Sequence, residues 1–152
     1  MPTRFHSAAL RSQGQFPNEN TDVYVFDTIG ELGPFYSVTP IVFMGGSLVK
    51  HGGQNPIEPA KLGAALLHGP HVGNFADVYK ALDAGHGAVQ VDDAHMLAQR
   101  AHAWLQDATA RARAAESAHE IVEGLGGALE KTLQALEPYL MQLRLGQGAH
   151  HA

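Results

Sequence analysis

Between Ile41 and Lys61 the chain concentrates the residue types that can hold an anion: Gly45-Gly46-Ser47, then Gly52-Gly53-Gln54-Asn55-Pro56, then Glu58 one turn later. Glycines lack a Cβ, so a negatively charged ligand can approach their backbone N–H groups. A helix opening at Pro56 would add its free N–H groups and the positive end of its dipole. The chemistry this spacing suits is capture of a phosphate or carboxylate. The same glycines also suit tight turns, and Asn55 with Glu58 could form a capping box that only starts a helix.

The elements that must position this stretch follow from the pattern around it. The apolar tetrad Ile41-Val42-Phe43-Met44, bounded by glycine, predicts a buried strand, and Asn55 before Pro56 predicts an N-cap with proline at the first helical position. Upstream, the spacing of Phe5, Ala8 and Ala9 predicts a short helix over 5–14, and a loop follows over 15–21. Asp22-Val23-Tyr24-Val25-Phe26 predicts a buried strand ending at Asp27. Thr28-x-x-Glu31 predicts a capping box for a helix over 32–37, with Pro34 in its first turn.

Downstream, Ala64-Ala65-Leu66-Leu67-His68 predicts a strand, Asn74-x-x-Asp77 a cap, 75–82 a helix, and Ala88-Val89-Gln90-Val91 a further strand. Strands alternating with helices at this interval imply parallel pairing, so the expected fold is α/β, a Rossmann-like doubly wound sheet with its ligand site beyond the carboxyl ends of the strands. After Asp93 the pattern is helical. Glycines 124, 126 and 127 are expected to break it, before a last helix striped by Leu129, Leu133, Leu136, Leu140 and Leu143 that packs on its own domain. The expected division is a nucleotide-binding unit over 1–93, helices packing on it over 94–145, and a disordered tail over 146–152.

Composition narrows the function. At 152 residues the chain holds about one domain, and 45% apolar with 16% charged residues marks it as globular. A net charge of −5 with ten scattered basic residues argues against a nucleic-acid binder. Zero cysteines rule out disulfides, thiolate metal sites and a cysteine nucleophile. No apolar run approaches the ~20 residues that span a bilayer, and the start has no signal-peptide core, so a soluble, cytoplasmic chain is expected. Among ten histidines, His68-x-x-His71 is the tightest pair. Gly69 and Pro70 between them keep the rings off one helix face, and no carboxylate completes a site, so no metal and no cofactor are expected.

Taken together and in order, 27–32 (Asp27-Thr28-Ile29-Gly30-Glu31-Leu32), 45–49 (Gly45-Gly46-Ser47-Leu48-Val49), 52–59 (Gly52-Gly53-Gln54-Asn55-Pro56-Ile57-Glu58-Pro59) and Gly69-Pro70-His71 with Asn74-Phe75 resemble the C-terminal half of 3-deoxy-D-manno-octulosonic acid (Kdo) transferases. Gly127-Ala128-Leu129 and 136–140 are similar as well. The resemblance implies the C-terminal domain of a GT-B glycosyltransferase that moves Kdo from CMP-Kdo to the lipid A precursor, lipid IVA, in lipopolysaccharide core biosynthesis. It implies an inverting, metal-independent enzyme at the cytoplasmic face of the bacterial inner membrane. In that frame Glu58 would accept both ribose hydroxyls. Gly52, Gly53, Gln54 and Asn55 would present donors to the phosphate, and Gly45, Gly46 and Ser47 would line the same pocket. Thr28, Gly30 and Glu31 would either touch donor phosphate or sugar carboxylate, or only cap a helix. Gln54 stands where the family usually has His, which replaces a chargeable imidazole with a neutral amide.

The resemblance also implies an N-terminally truncated fragment, inactive alone. The acceptor domain, its membrane anchor, the general base and the opening strands of the sheet would all lie outside this chain, so no catalytic residue is expected within it. Two other readings of the same residues are a non-catalytic nucleotide- or anion-binding module and a GT-B glycosyltransferase using a UDP-sugar.

Overall fold

A computed structural model describes the backbone of residues 7–147 and the side chains of residues 7–127. In chain order the elements are β1 (Ala8–Leu10), β2 (Val23–Val25), α1 (Leu32–Tyr36), β3 (Ile41–Met44), α2 (Ile57–Lys61), β4 (Ala65–His68), α3 (Ala76–Ala84), β5 (Ala88–Gln90), α4 (Ala94–Gln106) and α5 (Ala108–Gln147). Every strand pairing is parallel. β1 pairs with β2 in a two-stranded sheet, and β3, β4 and β5 form a second sheet in that order. The α/β alternation is as the sequence predicts, although the strands divide between two sheets rather than joining one.

β4 is central, and all four of its residues are buried. That is what a parallel strand covered on both faces requires, and it explains the unalternated Ala-Leu-Leu-His. On one face Leu66 packs with Met44, Ala88, and Tyr79 and Leu82 of α3. On the other, Ala65 packs with Trp104, Ala114 and Ala115. Closing such a core on α5 needs small residues at the contact. A Cβ on Gly87 would lie 2.7 Å from the Ala118 Cα, so glycine is what lets β5 and α5 meet.

Several local expectations are corrected. Residues 8–10 form a strand, not a helix, and the 3-10 turn Arg11–Gln13 after it closes at Gly14 with φ 69°. β2 is half-exposed rather than buried, because in its two-stranded sheet it has β1 alone as a neighbour. The helical region breaks at Asp107, not at the glycines. Asp107 Oδ1 accepts the Ala110 N–H at 2.9 Å and starts α5, which then runs unbroken through Gly124, Gly126 and Gly127. Glycine lowers helix propensity by about 1 kcal/mol but does not forbid helical φ, and tertiary packing overrides it. The side chains of the leucine stripe from Leu129, and residues 148–152 of the expected tail, lie outside the described residues. Gly146 and Gln147 end α5. Among the described residues no helix is long and apolar enough to cross a membrane.

Candidate functional site

The carboxyl ends of β3 and β4 lie at one edge, with Met44 paired to His68. The turns leaving them are locked together by Ser47. Its buried hydroxyl donates to the Met44 carbonyl and accepts the Gly69 N–H at 2.7 Å, and the His71 N–H reaches the Ser47 carbonyl at 2.9 Å. The two backbones approach so closely that a Cβ on Gly69 would fall 2.3 Å from the Ser47 carbonyl oxygen.

The glycine loop folds back across this edge. The Gly53 N–H meets the Gly46 carbonyl at 3.3 Å, which brings 45–47 and 52–53 together. Gly52 and Gly53 both adopt left-handed backbone, with φ 100° and 73°, which L side chains rarely enter. Four consecutive carbonyls of this loop are held from the segment after β4. Asn74 Nδ2 donates to the His51 and Gly53 carbonyls at 3.4 and 3.2 Å, the Asn74 N–H donates to the Gly52 carbonyl at 3.0 Å, and the Tyr79 hydroxyl donates to the Gln54 carbonyl at 2.7 Å. Burial, with the Asp83 charge adding to it, raises the Tyr79 pKa and keeps it a donor. Its ring lies 4.7 Å from that of His68, whose nitrogens face the Gly69 carbonyl at 2.7 Å and Asp83 Oδ1 at 2.9 Å.

None of the three expected capping boxes closes at this edge, although the Asn55 side chain does serve the first N–H of α2. Asn55 Oδ1 accepts the Ile57 N–H at 3.0 Å as an Asx turn, and the helix is capped at Pro56 without a side-chain bond. Asn74 serves the glycine loop rather than α3, which begins after a 3-10 turn over Gly73–Phe75. The Thr28 hydroxyl bonds the Glu31 carboxylate at 2.5 Å instead of a backbone N–H. At five residues, α2 is also too short to lend much dipole to an anion, so that task falls to the loop's own N–H groups.

Glu31 belongs to a second constellation. Arg11 Nε and Nη2 each reach its carboxylate at 3.0 Å, and these bonds with that of Thr28 depress its pKa to about 2. Asp27 accepts the Ser12 N–H at 2.8 Å and the Ser12 hydroxyl at 2.5 Å, which lowers its pKa and makes it a structural carboxylate. A cleft of about 310 Å³ opens beside this group, walled by Phe16, Tyr24, Phe26 and Phe35. It shares only Glu31 with the sequence-predicted set. Gly30 sits at φ 85° in the open turn between Thr28 and Glu31. Glu58 bridges the two regions: its carboxylate lies 3.3 Å from where a Cβ on Gly33 of α1 would stand, and its charge helps burial to raise the Tyr36 pKa. Among the described residues no three His, Asp or Glu side chains are grouped to hold a metal ion.

Sequence reasoning missed Arg11, Tyr79 and the true work of Asn74. The partners of Asn74 and Tyr79 lie more than 20 residues away in sequence, so no local pattern announces them.

No family model matches the chain. The 3-deoxy-D-manno-octulosonic acid transferase of Haemophilus influenzae is 38% identical over 131 residues, 86% of this chain and 31% of that protein. That of Bordetella pertussis is 34% identical over 133 residues, 87% of this chain and 31% of that protein. Among solved structures, the C-terminal CMP-Kdo binding domain of WaaA from Acinetobacter baumannii superimposes with a TM-score of 0.73 at 29% identity, covering 76% of this chain and 61% of that one. The chain thus spans about a third of the length of these full-length relatives.

Proposed function

The chain belongs to the Kdo transferase family, and from that premise we propose that it is the donor-binding half of such an enzyme, holding CMP-Kdo while Kdo passes to the lipid A precursor in lipopolysaccharide synthesis. The observation that carries this reading is the likeness, in sequence and in fold, to a CMP-Kdo binding domain. The loop at the carboxyl ends of β3 and β4 supplies the means. Its carbonyls are tied to Asn74 and Tyr79 and the Gly53 N–H is bonded to the Gly46 carbonyl, which leaves the N–H groups of Gly52, Gln54 and Asn55 to meet phosphate, with Gly45, Gly46, Ser47 and Gly53 forming the floor and the Glu58 carboxylate accepting the ribose hydroxyls. Thr28, Gly30 and Glu31 flank the donor on the α1 side. Glu31 is already bonded to Arg11 and Thr28, so it acts there through Arg11, whose remaining N–H groups can meet a sugar carboxylate.

In the transfer, the acceptor oxygen attacks the anomeric carbon as its bond to the CMP phosphate breaks, with inversion. The loop N–H groups stabilise charge growing on that phosphate. The base that takes the acceptor's proton, the acceptor surface and attachment to the cytoplasmic face of the inner membrane belong to the acceptor half of such an enzyme.

Calorimetric titration of the chain with CMP, UMP and UDP tests the reading. Selective CMP binding is expected. Preference for UDP would point to a different sugar nucleotide, and absence of binding by all three would overturn the proposal.

A further inference from the structure

We propose that Asn74 is the positioning residue of the glycine loop, the side chain that turns carbonyls inward so that the loop shows an anion N–H groups rather than oxygens. The inference rests on the proposed nucleotide site at this loop. In a loop of two left-handed glycines each peptide plane can flip at little cost, and a flip exchanges an N–H for a C=O at the ligand face. A phosphate oxygen then meets a like partial charge instead of a donor. Asn74 engages three successive planes at once, taking the His51 and Gly53 carbonyls with its amide and the Gly52 carbonyl with its own N–H. Its amide is also seated tightly, since a Cβ on Gly52 would stand 2.6 Å from its terminal atoms. Tyr79 fixes the fourth plane at Gln54 from α3. The asparagine amide has two donor hydrogens on one nitrogen, which is what two converging carbonyls need, and no carboxylate or aliphatic side chain of the same size offers that.

The test uses the 152-residue chain with CMP as probe and two variants. Asn74→Ala should weaken CMP binding about tenfold or more, the loss of one to two net hydrogen bonds, and should shift the backbone amide resonances of Gly52, Gly53 and Gln54 while those of β4 and β5 stay in place. Asn74→Asp sets an ionised carboxylate against two carbonyls. It should bind CMP weakly near neutrality and recover on acidification, relative to the parent chain at each pH, because a protonated carboxyl can donate once more. The comparison at each pH cancels titration of CMP itself, and His51 and His71 in the neighbouring turns are common to both proteins. If the parent chain binds CMP and Asn74→Ala binds it equally well, the proposal fails. It also fails if Asn74→Asp shows no recovery at low pH. Should the parent chain not bind CMP, the nucleotide reading is lost, and the loop resonances still decide the clamp: unmoved amides in Asn74→Ala overturn it.

Discussion

Arg11 and Glu31 meet through two contacts of 3.0 Å, Nε to Oε2 and Nη2 to Oε1, joining the turn after β1 to the cap of α1 across 20 residues. With Thr28 they depress the Glu31 pKa from 4.5 to about 2. A folded-state pKa below the unfolded one contributes stability above the unfolded value and loses it as pH falls through the folded one. The parent chain should therefore be more stable than Glu31→Gln at about pH 6, and the gap should close between roughly pH 4.5 and pH 2. Thermal melts of both across that range check this. Asp27 titrates the same way in both proteins and cancels. Added salt should narrow the gap, because the pair is open to solvent.

Ser47 is where the turns after β3 and β4 depend on one hydroxyl. Ser47→Ala leaves the buried Gly69 N–H without its acceptor and frees the Met44 carbonyl. A cost of about 1–3 kcal/mol in chemical denaturation is expected. Gly69→Ala should be worse, since the added Cβ meets backbone rather than a side chain that can swing away. A Gly69→Ala chain as stable as Ser47→Ala would show that these turns are free to separate.

The features legible in the sequence are those with local causes. Mostly apolar runs at 41–44 and 64–68 mark β3 and β4, and Ala88 to Val91 marks β5, because a strand covered by helices shows little polar alternation. β1 was not legible. Ala8-Ala9-Leu10 is three residues long and is a strand only because β2 pairs with it from Val23 onward. The capping boxes misled for one physical reason: a Ser/Thr/Asn side chain near a helix start takes the strongest partner in reach. For Thr28 that is a carboxylate, and for Asn74 it is a loop at the adjoining strand end. The loop's glycines are legible as a turn of close backbone approach, whereas the side chains that hold its carbonyls, Asn74 and Tyr79, are not.

Tyr79→Phe isolates one bond of that orientation. It removes the hydroxyl from the Gln54 carbonyl and leaves the ring on His68 and in the core with Leu66 and Leu82. Stability should fall by about 0.5–1.5 kcal/mol. CMP affinity should fall as well, because the last plane before Asn55 is released. An affinity loss with no change in melting temperature would mean the bond forms only with ligand bound.

Glu58 separates structure from function most cleanly. A capping box would tie its carboxylate to the Asn55 N–H and give Glu58→Ala a cost of about 1 kcal/mol. Among the described residues that bond is not made: α2 is capped at Pro56, Asn55 bonds forward to Ile57, and the Glu58 carboxylate points to Gly33 of α1. Glu58→Ala should therefore leave the denaturation midpoint within about 0.5 kcal/mol of the parent. If the carboxylate accepts the ribose hydroxyls, the same variant should weaken CMP binding by about tenfold or more, as expected for hydrogen bonds to a charged group, and the deficit should shrink for 2′-deoxy-CMP, which offers one hydroxyl fewer. Stability lost with affinity retained would return Glu58 to the helix and remove it from the site.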